Sequence, residues 1–163
     1  MTKANLDKAE KEILRLLQNN ARISNVELAD KVGLSESPCF RRTKQLEDNG
    51  IIKAYTAVLD QRQLGLQVTA FVQVSLNKQN EEETTGFLEK VASEDHITEC
   101  HAMSGSYDYL LKVVTQSMDH FSDLCMQKIL KYPGVQDIES HFSLKENKLS
   151  RVLPISWKWY WSF

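Results

Sequence analysis

Residues 24–50, SNVELADKVGLSESPCFRRTKQLEDNG, spell two short helices joined by one tight turn. Ser24 and Glu27 stand at S-x-x-E spacing, a capping box that satisfies free backbone amides and starts a helix. Val26, Ala29 and Val32 recur at helical spacing, and Leu28 widens the apolar stripe. Gly33 sits where the helix must end in a left-handed residue, a conformation glycine adopts at little cost. Leu34 follows as an apolar plug, and Ser35 is placed to cap a second helix. Pro38 falls in that helix's first turn, where a missing N–H removes no intrahelical bond. Ala29, four residues before the glycine, leaves room for the two helices to cross closely. The spacing predicts a helix-turn-helix, whose second helix enters the major groove of DNA. A purely structural helical hairpin is the plainer alternative.

Working outward, Leu6, Ile13, Leu16 and Leu17 predict a preceding helix, with Asp7 and Glu10 as a second capping pair. Three such helices can share a small core. In the second helix of the motif, Cys39, Thr43 and Leu46 fall at i, i+4 and i+7 and face inward. Ser35, Ser37, Pro38, Phe40, Arg41 and Lys44 then lie nearer the groove, with Arg42 towards the flank. Arginine can read guanine edges bidentately, whereas lysine mostly holds phosphates. Arg41 is therefore the favoured base reader, while Arg42 and Lys44 read equally well as solvated helix charges. Glu36 either discriminates between bases or complements the helix dipole.

The second half of the chain changes period. IIKAYTAVL (51–59) is β-branched and aromatic enough to predict a strand, and Asp60–Gly65 reads as a connector. VTAFVQVSL (68–76) is a strand. A helix starting around Asn80–Thr85 follows, its face made by Phe87, Leu88 and Val91. ITECHAMS (97–104) and YDYLLKVV (107–114) predict a hairpin turning at Gly105–Ser106 in a type II′ geometry. Met118 to Tyr132 reads as a helix with Phe121, Leu124, Cys125 and Ile129 inward. VQDIESHFSLKE (135–146) predicts a last long strand, and KLSRVLPI a further one. The order β-α-β-β-α-β is the ferredoxin-like arrangement. Both faces of 107–114 are substantially apolar and two helices cover only one, so the other is expected to stack on a second subunit.

Composition narrows the class. The 163 residues carry a net charge of −2, which argues against a nonspecific nucleic-acid coat. Up to Asp60 there are 10 basic and 9 acidic side chains, and after it 10 and 13. DNA binding would therefore rest on the local cluster at 41–44, presented several times over by an oligomer. No apolar run is long enough to span a membrane, and the N-terminus lacks a secretory apolar region. Cys39, Cys100 and Cys125 never approach C-x-x-C spacing and read as reduced thiols, so a cytoplasmic location is expected. The four histidines invite a metal hypothesis, but neighbouring strand positions point apart, and no H-E-x-x-H, G-x-S-x-G or phosphate-loop motif occurs. Neither a catalytic residue, a metal ligand nor a cofactor is expected.

The segments RISNVELADKVGLSESPC (22–39), RRTKQLE (41–47) with NGII (49–52), YTAVLD (55–60) and ECHAMSGSYDYLLKV (99–113) carry a resemblance. In order and register, they resemble the Lrp/AsnC family, the leucine-responsive or feast/famine transcriptional regulators. The resemblance implies an α+β chain: a helix-turn-helix, winged-helix-like domain at 1–50, a strand and linker at 51–66, and a ferredoxin-like sensing and oligomerisation domain at 67–155. It also implies homodimers that assemble to octamers, bind and bend double-stranded promoter DNA, and respond to a small amino acid.

An amino-acid site needs donors for a carboxylate, an acceptor for an ammonium, and a pocket for the side chain. The turn Ser104–Gly105–Ser106–Tyr107 can offer backbone N–H groups, and Asp108 an ammonium partner. The plainer reading of Asp108 is a hairpin-end carboxylate bonded to nearby backbone. Resemblance carries the ligand role onto Gly105 and Asp108 and places Ala102, Met103 and Met118 near the pocket. It assigns Ser140, His141 and Phe142 to a neighbouring dimer's contribution. The apolar character favours leucine or methionine as effector. The alternative is an architectural DNA-binding oligomer whose second domain takes no ligand. The aromatic stretch WKWYWSF (157–163) runs past the family's usual finish near Ile155, so residues 156–163 form a separate tail. It reads either as a segment that docks at a subunit interface or as added sequence.

Overall fold

The computed structural model describes residues 5–77, 81–150 and 152–155. They divide into two compact units. One comprises residues up to Val58 together with the described residues from Lys148 onward; the other runs from Leu59 to Asn147.

The first unit is built from α1 (Lys8–Asn19), α2 (Asn25–Val32) and α3 (Glu36–Asp48). Asp7 and Glu10 form the complete reciprocal capping box, each backbone N–H bonded to the other's carboxylate at 2.9 Å. Ser24 caps α2 by accepting from Glu27 N at 3.2 Å, while the Glu27 carboxylate pairs with Lys31. Ser35 is the N-cap of α3 but makes no side-chain cap bond. Gly33 ends α2 at φ +73°, and the next amide, Leu34 N, reaches back to Ala29 O at 2.9 Å. That is the left-handed closure the sequence predicts. Ile13, Leu14, Leu28, Ala29, Cys39 and Leu46 are buried together, and Ile51, Ile52 and Ile155 pack around them. Val26, expected inside, is 59% exposed. At the second position of α2 it points away from the stripe set by Leu28 and Ala29.

Two expected strands do not form. Residues 51–59 make no ladder, and all but Ile51 and Ile52 are exposed. Strand propensity measures fit to a paired, half-buried surface, and among the described residues no strand pairs with this one. The described residues of 148–155 form no strand either. Instead Gln18 of α1 clamps Leu153 from both sides, Nε2 donating to Leu153 O (3.2 Å) and Oε1 accepting from Leu153 N (2.6 Å). The segment expected to close the second domain thus packs with the first.

The second unit contains β1 (Val68–Leu76), α4 (Glu81–Ala92), β2 (Ile97–Ala102), β3 (Tyr109–Thr115), α5 (Met118–Asp123) and β4 (Val135–Phe142). Its antiparallel sheet has the order β2-β3-β1-β4, the ferredoxin-like order. Alternation buries Ala70, Val72, Val74 and Leu76 of β1 with Leu111 and Val113 of β3, against Phe87 and Val91 of α4 and Phe121, Leu124, Cys125 and Ile129 beyond β3. Leu88, expected on the inner face of α4, is partly exposed. The predicted helix 118–132 is continuous but not uniform: α5 passes into a wide π turn at Leu124–Lys128 and a tight 3-10 turn at Ile129–Lys131. β4 stops at Phe142 rather than running to 146, because β1 offers its last partners at Ala70 and Thr69.

The open sheet face is less apolar than expected. Phe71 of β1 is flanked by Lys112 and His141. Lys112 pairs with Glu99 (3.0 Å), and Glu99 also accepts from His101 (3.4 Å). Across the sheet His141 meets Glu139 at 3.5 Å.

Candidate nucleic-acid interface and effector site

The outer face of α3 is the candidate DNA surface. Ser35, Ser37, Phe40, Arg41 and Lys44 are exposed, while Pro38 and Arg42 are half-buried. Phe40 is 62% exposed, unusual for an aromatic side chain on a helix with a buried face of its own. The three cations nearby are not equivalent. Arg42 turns back onto α1, where its guanidinium meets Asp7 at 2.5 Å and Glu10 at 3.6 Å. Of the expected DNA-contact cations, it is the one that staples α3 to the cap of α1, with its charge paired there. The backbone bond from Glu10, with Arg42 adding to it, holds the Asp7 carboxyl below the usual range. Lys44 lies between Glu47 (3.3 Å) and Asp48 (3.4 Å), one turn along its own helix. Those pairs are exposed and weak, so its ammonium can exchange onto phosphate. Arg41 makes no hydrogen bond or ion pair among the described residues and projects freely.

Two fixtures of this surface were not visible in the sequence. Asn25 Nδ2 donates to Glu36 O (3.0 Å), tying the start of α2 to the start of α3 across the turn. The Tyr55 hydroxyl donates to Glu47 (2.9 Å), fixing the segment after α3 to its last turn. Burial, reinforced by the Glu47 carboxylate, pushes the Tyr55 phenol up to about 12. An asparagine beside a serine N-cap reads as ordinary capping chemistry, and its long-range partner leaves no local signal.

The candidate effector residues fall into separate groups. Ala102 and Met103 to Asp108 form one loop at the β2–β3 end of the sheet. This is not the two-residue turn expected: Ala102 pairs with Tyr109, and Met103 N bonds to Asp108 O at 2.8 Å. Ser104, Gly105, Ser106 and Tyr107 are thus free to curve. Gly105 has φ +140°, a region where a side chain is strained, and no atom would meet an added Cβ. Asp108 anchors the loop to β1: its N–H donates to Val74 O (2.9 Å) and its Oδ2 accepts from Leu76 N (2.8 Å). The plainer reading of Asp108 is therefore part of its role.

Met118, Ser140, His141 and Phe142 lie elsewhere. Phe142 pairs with Ala70, six positions along β1 from Leu76, or roughly 20 Å at about 3.4 Å per residue. Its ring packs edge-on against Phe121, three residues after the exposed Met118. Ser140 turns to the helix side, where it bonds Cys125; burial pushes that thiol up to about 11 against the lowering effect of this bond. His141 alternates to the open face. One chain therefore gathers the loop residues but does not bring the β4 group to them.

A helix-turn-helix with an exposed reading face, followed by a ferredoxin-like domain with a glycine-bearing loop, defines a DNA-binding transcriptional regulator with an appended ligand-binding domain. Residues 6–53 match the family model for winged helix-turn-helix DNA-binding, and residues 69–153 that for the Lrp/AsnC ligand binding domain. The chain belongs to the Lrp/AsnC family of transcriptional regulators. It is 39% identical to the leucine-responsive regulatory protein of Escherichia coli K12 over 150 residues, covering 92% of each chain. It is 36% identical to the transcriptional regulator AzlB of Bacillus subtilis, covering 92% of this chain and 96% of that one. Among solved structures, a transcriptional regulator of Neisseria meningitidis in complex with L-Met superposes with TM-score 0.89 at 41% identity, covering 93% of this chain and 97% of that chain. The family is one of transcriptional regulators, not enzymes. Among the described residues no helix is long and apolar enough to cross a membrane.

Proposed function

We propose that this chain is a cytoplasmic, sequence-specific regulator whose DNA affinity or assembly is set by methionine or leucine, with methionine preferred. The carrying observation is the separation of the candidate effector residues. Ser140, His141 and Phe142 lie opposite Val72, Phe71 and Ala70, whereas Asp108 bonds Val74 and Leu76. That separation grows from about 7 Å to about 20 Å along the sheet at about 3.4 Å per residue, and we read a site using both as drawn from two chains. A ligand held between chains biases assembly because it binds one assembly state better than the other. In this reading homodimers associate further, to octamers, and present paired α3 helices to promoter DNA. The Gly105–Tyr107 amides receive the effector's carboxylate and Asp108 its ammonium, with Ala102, Met103 and Met118 lining the side-chain pocket. The L-Met bound by the Neisseria regulator supports methionine. On α3, Arg41 reads a base edge, Phe40 meets the groove's apolar surface, and Ser35, Ser37, Pro38 and Lys44 position the helix on the backbone.

The engagement of Asp108 with the Leu76 amide favours a second reading, an architectural oligomer without effector. Sedimentation velocity, with and without L-methionine, separates the two. Effector control predicts a shift in assembly that Asp108→Asn abolishes, since the amide oxygen can still accept from Leu76 N while the charge is gone. Identical distributions with every amino acid favour the architectural reading.

A further inference from the structure

Phe40 does little to hold the helical unit together. α3 turns Cys39 and Leu46 into the core and leaves the Phe40 ring in water. Among the described residues that ring packs on no other aromatic ring. One exposed apolar side chain is ordinary on a protein surface, but its place here is not. Ser37, Phe40, Arg41 and Lys44 stand at i, i+3, i+4 and i+7, so they share one face of α3. Phe40 lies in the first half of that helix, the part of a recognition helix that meets base edges. The helix is also held in place: Asn25 Nδ2 donates to Glu36 O at its start, and Arg42 pairs with Asp7 and Glu10. Only two side-chain torsions remain to be ordered, so the ring loses little entropy on contact.

A phenyl ring offers no hydrogen-bond donor or acceptor, and that limits what it can recognise. In the major groove, guanine, adenine and cytosine present donors and acceptors, while thymine adds an apolar group, its 5-methyl. Over a polar base edge the ring displaces water and returns no hydrogen bond, which costs affinity. Over a 5-methyl group it removes apolar surface from water, which adds affinity. Both effects favour the same base. Arg41, the next residue, projects freely for a guanine, so the two side chains together suit a guanine and a methylated pyrimidine in neighbouring base pairs.

We propose that Phe40 is a specificity-determining residue that reads the 5-methyl group of a pyrimidine, thymine in unmodified promoter DNA, beside the base pair read by Arg41. This deepens the reading of α3 as the base-reading helix and rests on it. The same contact makes cytosine in that position a better partner when it carries a 5-methyl group.

Selection of duplexes from a random pool by the full-length protein supplies the site for the test. A thymine next to a guanine is expected in the enriched sequences, and Phe40→Ala is expected to lose the thymine while keeping the guanine. Uracil in place of that thymine deletes the methyl group and nothing else. It is expected to weaken wild-type binding about fourfold per half-site, the worth of one buried methyl group, and to leave Phe40→Ala indifferent. Phe40→Leu, which keeps an apolar tip, should retain the discrimination. At the same position, 5-methylcytosine is expected to bind more tightly than cytosine by a similar factor. Equal affinity for thymine and uracil would overturn the proposal, as would a methyl preference that survives Phe40→Ala or a cytosine that gains nothing from its methyl group. A pool from which no sequence is enriched would overturn the base-reading role of α3 itself, and this inference with it.

Discussion

The two units of this chain treat their polar groups differently. In the helical unit, charge is settled locally: Arg42 is spent on Asp7 and Glu10, Lys44 leans on Glu47 and Asp48, and Arg41 is left projecting. In the ferredoxin-like unit the candidate site is split between a loop at one end of the sheet and a strand end at the other. In the proposed reading the DNA-reading face is complete on one helix, whereas the effector site is completed between chains, which would separate a part that recognises from a part that counts neighbours.

The sharpest way to break this contrast is Arg41→Ala. Loss of a bidentate base contact costs about 1–3 kcal/mol of discrimination, so fluorescence anisotropy should show operator affinity falling towards that for random DNA. Retained discrimination would mean that another side chain reads the base. In the other unit, Gly105→Val forces a side chain into φ +140°, a strain of about 1–2 kcal/mol. Urea denaturation should register it, and the effector response should weaken while DNA binding by the helical unit persists.

Glu94 offers a pH-resolved version. Burial would raise its pKa, but hydrogen bonds from Lys128 and from the His96 side chain and backbone N–H overcome this and bring it to about 2. Because the folded value lies below the ordinary 4.5, its contribution to stability is complete above pH 4.5 and disappears as the pH falls towards 2. Melts of Glu94→Gln should therefore differ from wild type at neutral pH and converge with it in acid. The smallest effect belongs to Arg42→Ala. Its pairs are partly exposed, so stability should drop by less than about 1 kcal/mol, with the deficit screened by salt. DNA affinity should fall far less than in Arg41→Ala.

How much was legible follows from how local each signal is. Gly33, Ser24 and the Leu28–Ala29 stripe act within one turn of themselves, and the helix-turn-helix could be read from them directly. The alternation in 68–76 and 107–114 likewise gave the sheet and its ferredoxin-like order. IIKAYTAVL misled because its residues favour any pleated, half-buried surface, and this chain supplies no partner strand to it among the described residues. KLSRVLPI misled for a related reason: the Gln18 that captures Leu153 lies 135 positions away. Arg42 looked like its neighbours in sequence, and only the return of α1 to α3 distinguishes it. The Gly105 loop was found, but its length was not, because the Asp108 bonds that widen it come from β1.

The most direct test of the central claim is calorimetric titration of the full-length protein with each of the twenty amino acids. Saturable binding of methionine or leucine, abolished in Asp108→Asn, is the predicted result. Absence of binding by all twenty would contradict it, leaving a DNA-binding regulator whose second domain serves assembly alone.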